Sequence, residues 1–136
     1  MKITQEADYG LRVVLFLSKL DYGEKIEAKS IAEHEHIPIR FLLKILRKLT
    51  HAGIIKSYRG VNGGYSLNKL PEEISVKDVI EIIDGPISIN RCTIDENFCT
   101  ANRASYCQLH KAMEGVRDTL CDILSKTNFG DFIDRK

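Results

Sequence analysis

The sequence has no run of about 18 apolar residues and no apolar stretch near its start of the kind found in secretory signals. We therefore predict a cytoplasmic protein with no membrane partner, whose thiols lie in a reducing compartment. It also has no glycine-rich nucleotide motif and no Cys-x-x-Cys pair, which argues against a small thiol oxidoreductase and a small-molecule substrate. With 136 residues, 43% hydrophobic and 29% charged, the chain is predicted to be globular.

Acidic residues are missing from the whole window between His36 and Pro71. The same window contains seven basic residues: Arg40, Lys44, Arg47, Lys48, Lys56, Arg59 and Lys69. It therefore carries +7 in a chain whose total is +1, so the remaining residues sum to −6. One-sided positive charge on a nearly neutral chain indicates a phosphate-backbone partner, although a solvated basic face would produce the same count.

Apolar residues recur at helical spacing in segments 4–20, 28–34 and 39–51. The third segment is basic on one side and apolar on the other, with the apolar stripe Phe41, Leu42, Ile45, Leu46 and Leu49. Gly53 follows it as a helix-ending glycine does, and Pro38 marks a turn before it. Two helices joined by a short turn, the second one basic, form the helix-turn-helix pattern, whose second helix enters the major groove.

A glycine-rich loop follows between two short strand patterns, residues 54–59 and 65–67. We interpret this hairpin as the wing of a winged helix; an ordinary glycine-rich hairpin is the alternative. Arg40, Lys44 and Lys48 are expected in the major groove, and Arg59 with the glycine loop on the adjacent backbone or minor groove. The full set of predicted DNA-contacting residues is Arg40, Phe41, Lys44, Arg47, Lys48, Arg59, Gly60, Asn62 and Gly63.

The second half begins with a capping-box pattern at Ser75 and Asp78, which predicts a short helix ended by Asp84-Gly85-Pro86. Residues 87–102 have no clear period and are predicted to be a functional loop. Helical spacing returns from about Arg103 to Leu124, with a short coiled-coil seam formed by Leu109, Met113, Val116, Leu120 and Ile123. The seam favours a dimer helix over one that covers its own core. The apolar tail at 129–133 is expected to dock on another part of the protein, and the other subunit is one candidate surface.

These patterns predict a mostly α-helical fold with a small β-wing and a long C-terminal dimerisation helix. The predicted divisions are a winged helix-turn-helix domain at 1–86, a cluster-binding loop at 87–102, and the dimerisation helix with its tail at 103–136.

Three of the four cysteines lie within sixteen residues, Cys92, Cys99 and Cys107, and His110 follows one helical turn later. Thiolates and imidazole are ligands for iron–sulfur clusters and zinc, so the segment predicts a metal centre or a redox pair of thiols. The spacing favours an iron–sulfur cluster, with structural zinc and a thiol switch as alternatives. Cys121 lies roughly 20 Å farther along a helix than Cys107 and is predicted to be a packing residue.

Several stretches resemble the IscR/NsrR-type winged-helix regulators: residues 1–4 with Tyr9, 49–53, 59–65, 76–80, and the three cysteines with Cys107-Gln-Leu-His110. The resemblance implies a homodimeric transcription regulator, a repressor, on a near-palindromic double-stranded operator. It also implies an iron–sulfur cluster that senses iron or cluster supply, redox state or nitric oxide. His110 as fourth ligand would give a 2Fe-2S cluster, which we favour; Asp8 of the partner subunit would give a 4Fe-4S cluster.

This chain departs from the family pattern at two points. Its cysteine gaps are longer than those of the best-known members, and Leu43 stands where the iron–sulfur biogenesis regulators have a polar residue. The operator sequence is therefore not carried over.

Overall fold

The architecture comes from a computed structural model, which describes residues 2–133. The helices and strands are α1 (Gln5–Ser18), α2 (Ala28–Glu35), α3 (Ile39–His51), β1 (Ile55–Tyr58), β2 (Gly64–Leu67), α4 (Val76–Asp84), α5 (Arg91–Ile94) and α6 (Gln108–Lys126). Short 3₁₀ turns occupy Pro71–Glu73, Glu96–Phe98 and Phe129–Phe132. Met1 and residues 134–136, part of the predicted opening motif and tail, lie outside the described residues. Within residues 2–133, no helix is long and apolar enough to cross a bilayer.

Helix α1 is anchored at its first turn. The side chain of Thr4 accepts a hydrogen bond from the Ala7 N–H at 3.1 Å, as expected of an N-cap, and the Thr4 hydroxyl donates to the carboxylate of Asp84 at the end of α4. Farther along α1, a Cβ at Gly10 would collide with Cδ1 of Ile83 in α4. Any larger residue at position 10 would therefore force the Ile83 side chain to shift, so glycine favours the close packing of α1 on α4.

The helix-turn-helix is formed by α2 and α3. His36 adopts a left-handed φ of 53° between the two helices, and the Ile37 N–H donates to the Ala32 carbonyl at 3.1 Å. Helix α3 buries one stripe and exposes the other side, and its buried residues are Leu42, Ile45, Leu46 and Leu49. The predicted bounds of the helix are confirmed. Gly53 follows with a left-handed φ of 82°, which confirms it as the glycine that ends the helix.

The wing is an antiparallel hairpin in which Ile55 pairs with Leu67 and Tyr58 with Gly64. A bridge that sequence did not predict extends it: Ile26 exchanges two backbone hydrogen bonds with Tyr65, at 3.0 and 2.8 Å. Gly64 has φ of 152°, and a Cβ there would lie 2.7 Å from the Ile26 carbonyl oxygen. The segment before α2 therefore fixes the wing relative to the helices.

The segment after α4 is more ordered than a loop. Ser75 and Asp78 form the predicted capping box of α4, but the predicted loop at 87–102 contains α5 and a 3₁₀ turn. Hydrogen bonds between Asn90 and Thr93 cap the start of α5. The helix itself spans only Arg91–Ile94, which is too short for a helical period to be visible in the sequence. Asn102 adopts a left-handed φ of 54°, and the last long helix begins at Gln108, after Cys107 in extended geometry, and not near residue 103.

The C-terminal turn packs on its own chain. The Phe129 N–H donates to the Ile74 carbonyl at 3.0 Å, the Val76 N–H donates to the Thr127 carbonyl at 2.8 Å, and the Phe129 ring is 2% exposed. Phe129 thereby joins the core formed by α1, α3 and α4. The expected docking of this tail is confirmed at Phe129, and the surface it docks on is its own chain, because residues 127–129 pair with the chain just before α4.

Candidate nucleic-acid interface and cysteine segment

A groove of about 500 Å³ separates α3 from the wing. Its basic residues are Arg47 from α3 and Arg59 from the end of β1, both exposed. The other lining residues are Leu43, Thr50, His51, Ser57 and Tyr65. Two guanidinium groups on the walls of one open groove suit phosphate and base-edge contacts.

The remaining predicted contacts flank this groove. Arg40 and Phe41 are exposed at the start of α3, with the Arg40 guanidinium carbon 5.3 Å from the centre of the Phe41 ring. At the wing tip the Gly63 N–H donates to the Gly60 carbonyl at 3.0 Å, which tightens the turn and leaves Asn62 exposed. These residues belong to α3 and the wing, the same two elements that form the groove.

Two predicted groove residues have partners within the chain. Lys44 Nζ lies 2.9 Å from Glu6 Oε1, and Lys48 Nζ lies 3.4 Å from Glu6 Oε2. Lys48 also donates to the Ile83 carbonyl at 3.2 Å, so its ammonium points towards α4 and not towards the predicted groove. The hydrogen bond from Lys44, followed by that from Lys48, holds the pKa of Glu6 below its usual range. Glu6 of α1 would thus compete with DNA phosphates for the lysines on the basic face of α3.

The cysteines are free thiols, and each is partly exposed. Cys92 Sγ lies 3.6 Å from the side-chain oxygen of Asn90. Backbone N–H groups of Arg103, Ala101 and Asn102 surround the sulfur of Cys99 and lower the pKa of its thiol. Since the thiolate is the form that binds metals and reacts, Cys99 is prepared for either role.

Cys107 and His110 line one cavity of about 390 Å³, together with Glu96 and Glu114. Sequence predicted that Cys107 lies within the last helix. In the structure it is the N-cap of α6, one residue before the helix begins. The His110 side chain is buried, and neither ring nitrogen has a hydrogen-bond partner among residues 2–133. A buried imidazole of this kind is unusual, because such polar groups are normally paired.

The potential metal-binding atoms that converge most closely are not those of the cysteines. In the described part of the chain, a group of three or more such atoms within 4.8 Å of one another is formed by Glu96, His110 and Glu114. The sulfurs of Cys92, Cys99 and Cys107 are outside this group. Sequence reasoning missed both glutamates, although the spacing of His110 and Glu114 by four residues on a helix was a usable signal.

Asp8, the alternative cluster ligand, is exposed on α1. Its carboxylate lies 3.3 Å from the guanidinium of Arg12 one turn later. Arg12 also donates to the Glu35 carbonyl at 3.1 Å, which links α1 to α2. Cys121 does not line the cavity of His110 and is partly exposed; its packing role stays a prediction.

Helix α6 presents an apolar face to solvent. Leu109, Val116 and Ile123 are 66%, 52% and 57% exposed. A shallow apolar depression runs along the same face, lined by Ala112, Gly115, Val116, Thr119, Leu120 and Ile123. The predicted seam therefore lies on the surface and does not cover the core of its own chain.

A profile of the Rrf2 family, described as "Iron-dependent Transcriptional regulator", matches residues 3–135. The HTH-type transcriptional regulator CymR of Bacillus subtilis is 34% identical over 130 residues, which cover 94% of this chain and 93% of CymR. The HTH-type transcriptional regulator NsrR of Bacillus licheniformis is 31% identical over 134 residues, covering 98% and 92% of the two chains.

Solved structures agree with these sequence matches. The structure of B. subtilis CymR, described as the global cysteine regulator, is similar with a TM-score of 0.75 at 30% identity, covering 97% of this chain and 95% of that chain. The IscR structure from T. potens is similar with a TM-score of 0.76 at 24% identity, covering 97% and 85%, and supports the fold.

Proposed function

Because this chain belongs to the Rrf2 family of DNA-binding transcriptional regulators, we propose that it is a homodimeric cytoplasmic repressor controlled by an iron–sulfur cluster. The predicted family resemblance and winged-helix fold are confirmed, and a regulator is the expected identity of a chain without enzymatic motifs. The dimer, the cluster and repression of a near-palindromic operator are the proposal.

The observation that carries the proposal is the buried His110, whose ring nitrogens have no hydrogen-bond partner among residues 2–133. It shares a cavity with Cys107, and the segment between residues 91 and 107 supplies the other two thiols, Cys92 and Cys99. Three cysteines and one histidine fit a 2Fe-2S cluster in their chemistry. We favour His110 over Asp8 as the fourth ligand, because the Asp8 carboxylate is exposed and paired with Arg12. Such a group supplies a redox-active centre that responds to iron supply, oxygen or nitric oxide.

The residues around the cysteine segment connect it to the helix that bears the dimer seam. The Arg117 guanidinium in α6 donates to the Thr93 carbonyl in α5 at 3.2 Å. The exposed apolar face of the same helix, centred on Val116, is the surface on which we place the second subunit. A rearrangement of residues 91–107 is therefore transmitted to α6 and to the spacing of the two α3 helices.

DNA is contacted on the opposite part of the chain. We assign the major groove to Arg40, Lys44 and Arg47 of α3, and the neighbouring backbone or minor groove to Arg59 with the wing tip. Two copies related by a two-fold axis place two such surfaces on one duplex, which explains the expected near-palindromic operator.

The test is anaerobic purification followed by a visible absorption spectrum, with iron and acid-labile sulfide counted on the same sample. About two irons and two sulfides per chain are expected for a 2Fe-2S cluster. Serine substitutions at Cys92, Cys99 or Cys107 should abolish the colour and alter the affinity for operator DNA, and Cys121→Ser should do neither. A colourless wild-type protein, or one that contains zinc, would refute the cluster.

A second candidate is a regulator whose cysteines respond directly to thiols or oxidants. It is favoured by the similarity to CymR, described as a cysteine regulator, and by the lowered pKa of the Cys99 thiol. A thiol-based regulator of this kind should be a colourless protein whose DNA affinity changes reversibly with oxidant and reductant. Metal content and a free-thiol count before and after oxidation distinguish it from zinc at the same residues.

A further inference from the structure

A buried imidazole points between two carboxylates at the start of α6. His110 Nε2 lies 3.2 Å from Glu114 Oε1 and 3.8 Å from Glu96 Oε1. The imidazole side chain is 6% exposed, whereas those of Glu96 and Glu114 are 62% and 44% exposed. The three atoms therefore form a small group that is closed on the imidazole side and open to solvent on the carboxylate side.

Hydrogen bonding does not account for this arrangement. Although Glu114 is within 3.2 Å, neither ring nitrogen of His110 meets hydrogen-bond geometry with any of residues 2–133. A buried ring nitrogen without a partner destabilises the fold. A metal ion coordinated by the lone pair of that nitrogen would remove this cost. The approach of both glutamates from solvent to one nitrogen indicates a shared binding partner.

The spacing matches that of ligands around one metal ion. Zinc–nitrogen and zinc–oxygen bonds are about 2.0–2.1 Å long, so two ligand atoms in a tetrahedral site are roughly 3.3 Å apart. The observed separations of 3.2 and 3.8 Å lie on either side of this value, and the three atoms all fall within 4.8 Å of one another. Only small side-chain shifts are needed, which the exposed Glu96 permits.

We propose that Glu96, His110 and Glu114 form a binding site for a single divalent transition-metal ion. One imidazole nitrogen and two carboxylate oxygens suit borderline ions such as Zn²⁺ and Fe²⁺, and water completes the coordination. The two carboxylates balance the charge of the ion, and their exposed sides give it a path from solvent.

This site and the proposed cluster share one ligand, His110. The other two ligands of the site, Glu96 and Glu114, do not belong to the cluster. The two occupants therefore exclude each other, and the metal ion binds protein from which the cluster is absent. Glu96 lies between Cys92 and Cys99, so an ion that holds Glu96 against α6 also fixes the position of the cysteine segment. The metal-ion site does not depend on the cluster and stands if the cluster proposal fails.

The test is titration of the full-length, chelator-treated protein with Zn²⁺ by calorimetry, with Co²⁺ absorption as a second measurement. One Zn²⁺ per chain is expected. Since loss of even an outer-sphere partner weakens metal binding about 10–100-fold, Glu96→Gln and Glu114→Gln should each lower the affinity by at least that much. Glu96 is exposed and Glu114 is half-buried, and both substitutions preserve side-chain size, so the fold should be retained. The Co²⁺ spectrum should lack a thiolate-to-metal charge-transfer band.

Two control variants make the result specific. Asp118→Asn removes an exposed carboxylate one turn after Glu114 and should leave Zn²⁺ binding unchanged. A variant with serine at Cys92, Cys99 and Cys107 should also retain it. Absence of Zn²⁺ binding, or binding that survives both glutamine substitutions and is lost in the cysteine variant, would overturn the proposal. The two glutamine variants should still assemble the anaerobic cluster, so failure of the cluster and failure of this site are distinguishable.

Discussion

Replacement of Glu6 by glutamine should strengthen binding to DNA. Glu6 pairs with both Lys44 and Lys48, which must leave the carboxylate before their ammonium groups can contact phosphate. Pairs this exposed are worth about 0.2–1 kcal/mol each. If one lysine is released in each of two subunits, about 0.4–2 kcal/mol is recovered, which corresponds to an affinity roughly 2–30-fold higher.

The salt dependence gives an independent measure of the same contact. Each lysine–phosphate contact contributes about 0.9 to the slope of log affinity against log salt concentration, so one lysine in each of two subunits contributes roughly 1.8 in wild type and in Glu6→Gln alike. Fluorescence anisotropy of a labelled duplex at several salt concentrations measures both the affinity and the slope. Glu24→Gln removes the same charge from the exposed α1–α2 loop and is the matched control. An unchanged affinity in Glu6→Gln, or an equal gain in Glu24→Gln, would refute the competition between Glu6 and phosphate.

The effect should also depend on pH in a defined direction. Because Lys44 and Lys48 lower the pKa of Glu6, the carboxylate stays ionised at pH values where an ordinary glutamate begins to take up a proton. Its ion pairs are therefore present above its usual pKa and are lost only as the pH falls through the lowered value. The difference between wild type and Glu6→Gln should accordingly persist at neutral and mildly acidic pH and disappear in strong acid.

Three further substitutions test other parts of the structure. Phe129→Ala should destabilise the chain by about 3–5 kcal/mol in urea unfolding, because its ring is buried, while Phe132→Ala, whose ring is 44% exposed, should cost far less; equal losses would contradict the observed docking. Val116→Glu should convert the dimer to monomer in sedimentation without loss of helix signal; a persistent dimer would exclude the α6 seam. Arg59→Ala should weaken DNA binding and reduce the salt slope by about 0.9 per subunit, and an unchanged slope would remove the wing from the interface.

The parts of the fold that sequence predicted well are those specified by local chemistry. Helix α3 has the predicted bounds because its apolar stripe is continuous and Gly53 supplies the left-handed residue after it. The capping box of Ser75 and Asp78 likewise identifies the start of α4. In both cases the signal lies within a few residues and does not depend on distant contacts.

The parts that sequence did not predict depend on contacts between distant residues. Phe129 lies in the core because its backbone pairs with Ile74, and nothing in the sequence near residue 129 indicates that partner. Similarly, Lys48 has the positive charge expected of a DNA-contacting residue, but its ammonium group points to Glu6 and the carbonyl of Ile83. Basic residues show that a positive face exists, whereas the neighbouring helices decide which of its charges remain available for DNA.

The divisions at residues 86 and 102, and the ligand roles of Cys92, Cys99, Cys107 and His110, stay predictions. The family match supports DNA-binding regulation, and metal and sulfide analysis of the protein tests the ligand roles.

We expect the proposed link between the cysteine segment and DNA binding to depend on Arg117. Its guanidinium donates to the Thr93 carbonyl and is also paired with Asp118, 2.9 Å away, so one side chain connects α5 to the helix on which we propose the dimer seam. A hydrogen bond from a charged donor as exposed as Arg117 is worth about 1.5 kcal/mol, or about tenfold in affinity. Arg117→Ala should therefore leave the cluster ligands intact but reduce, by up to that factor, the ratio between the DNA affinities of cluster-containing and cluster-free protein. Asp118→Asn keeps the Thr93 contact and should preserve the ratio. If Arg117→Ala also preserved it, coupling would have to run through another path, because α5 would then influence α6 without its principal hydrogen bond.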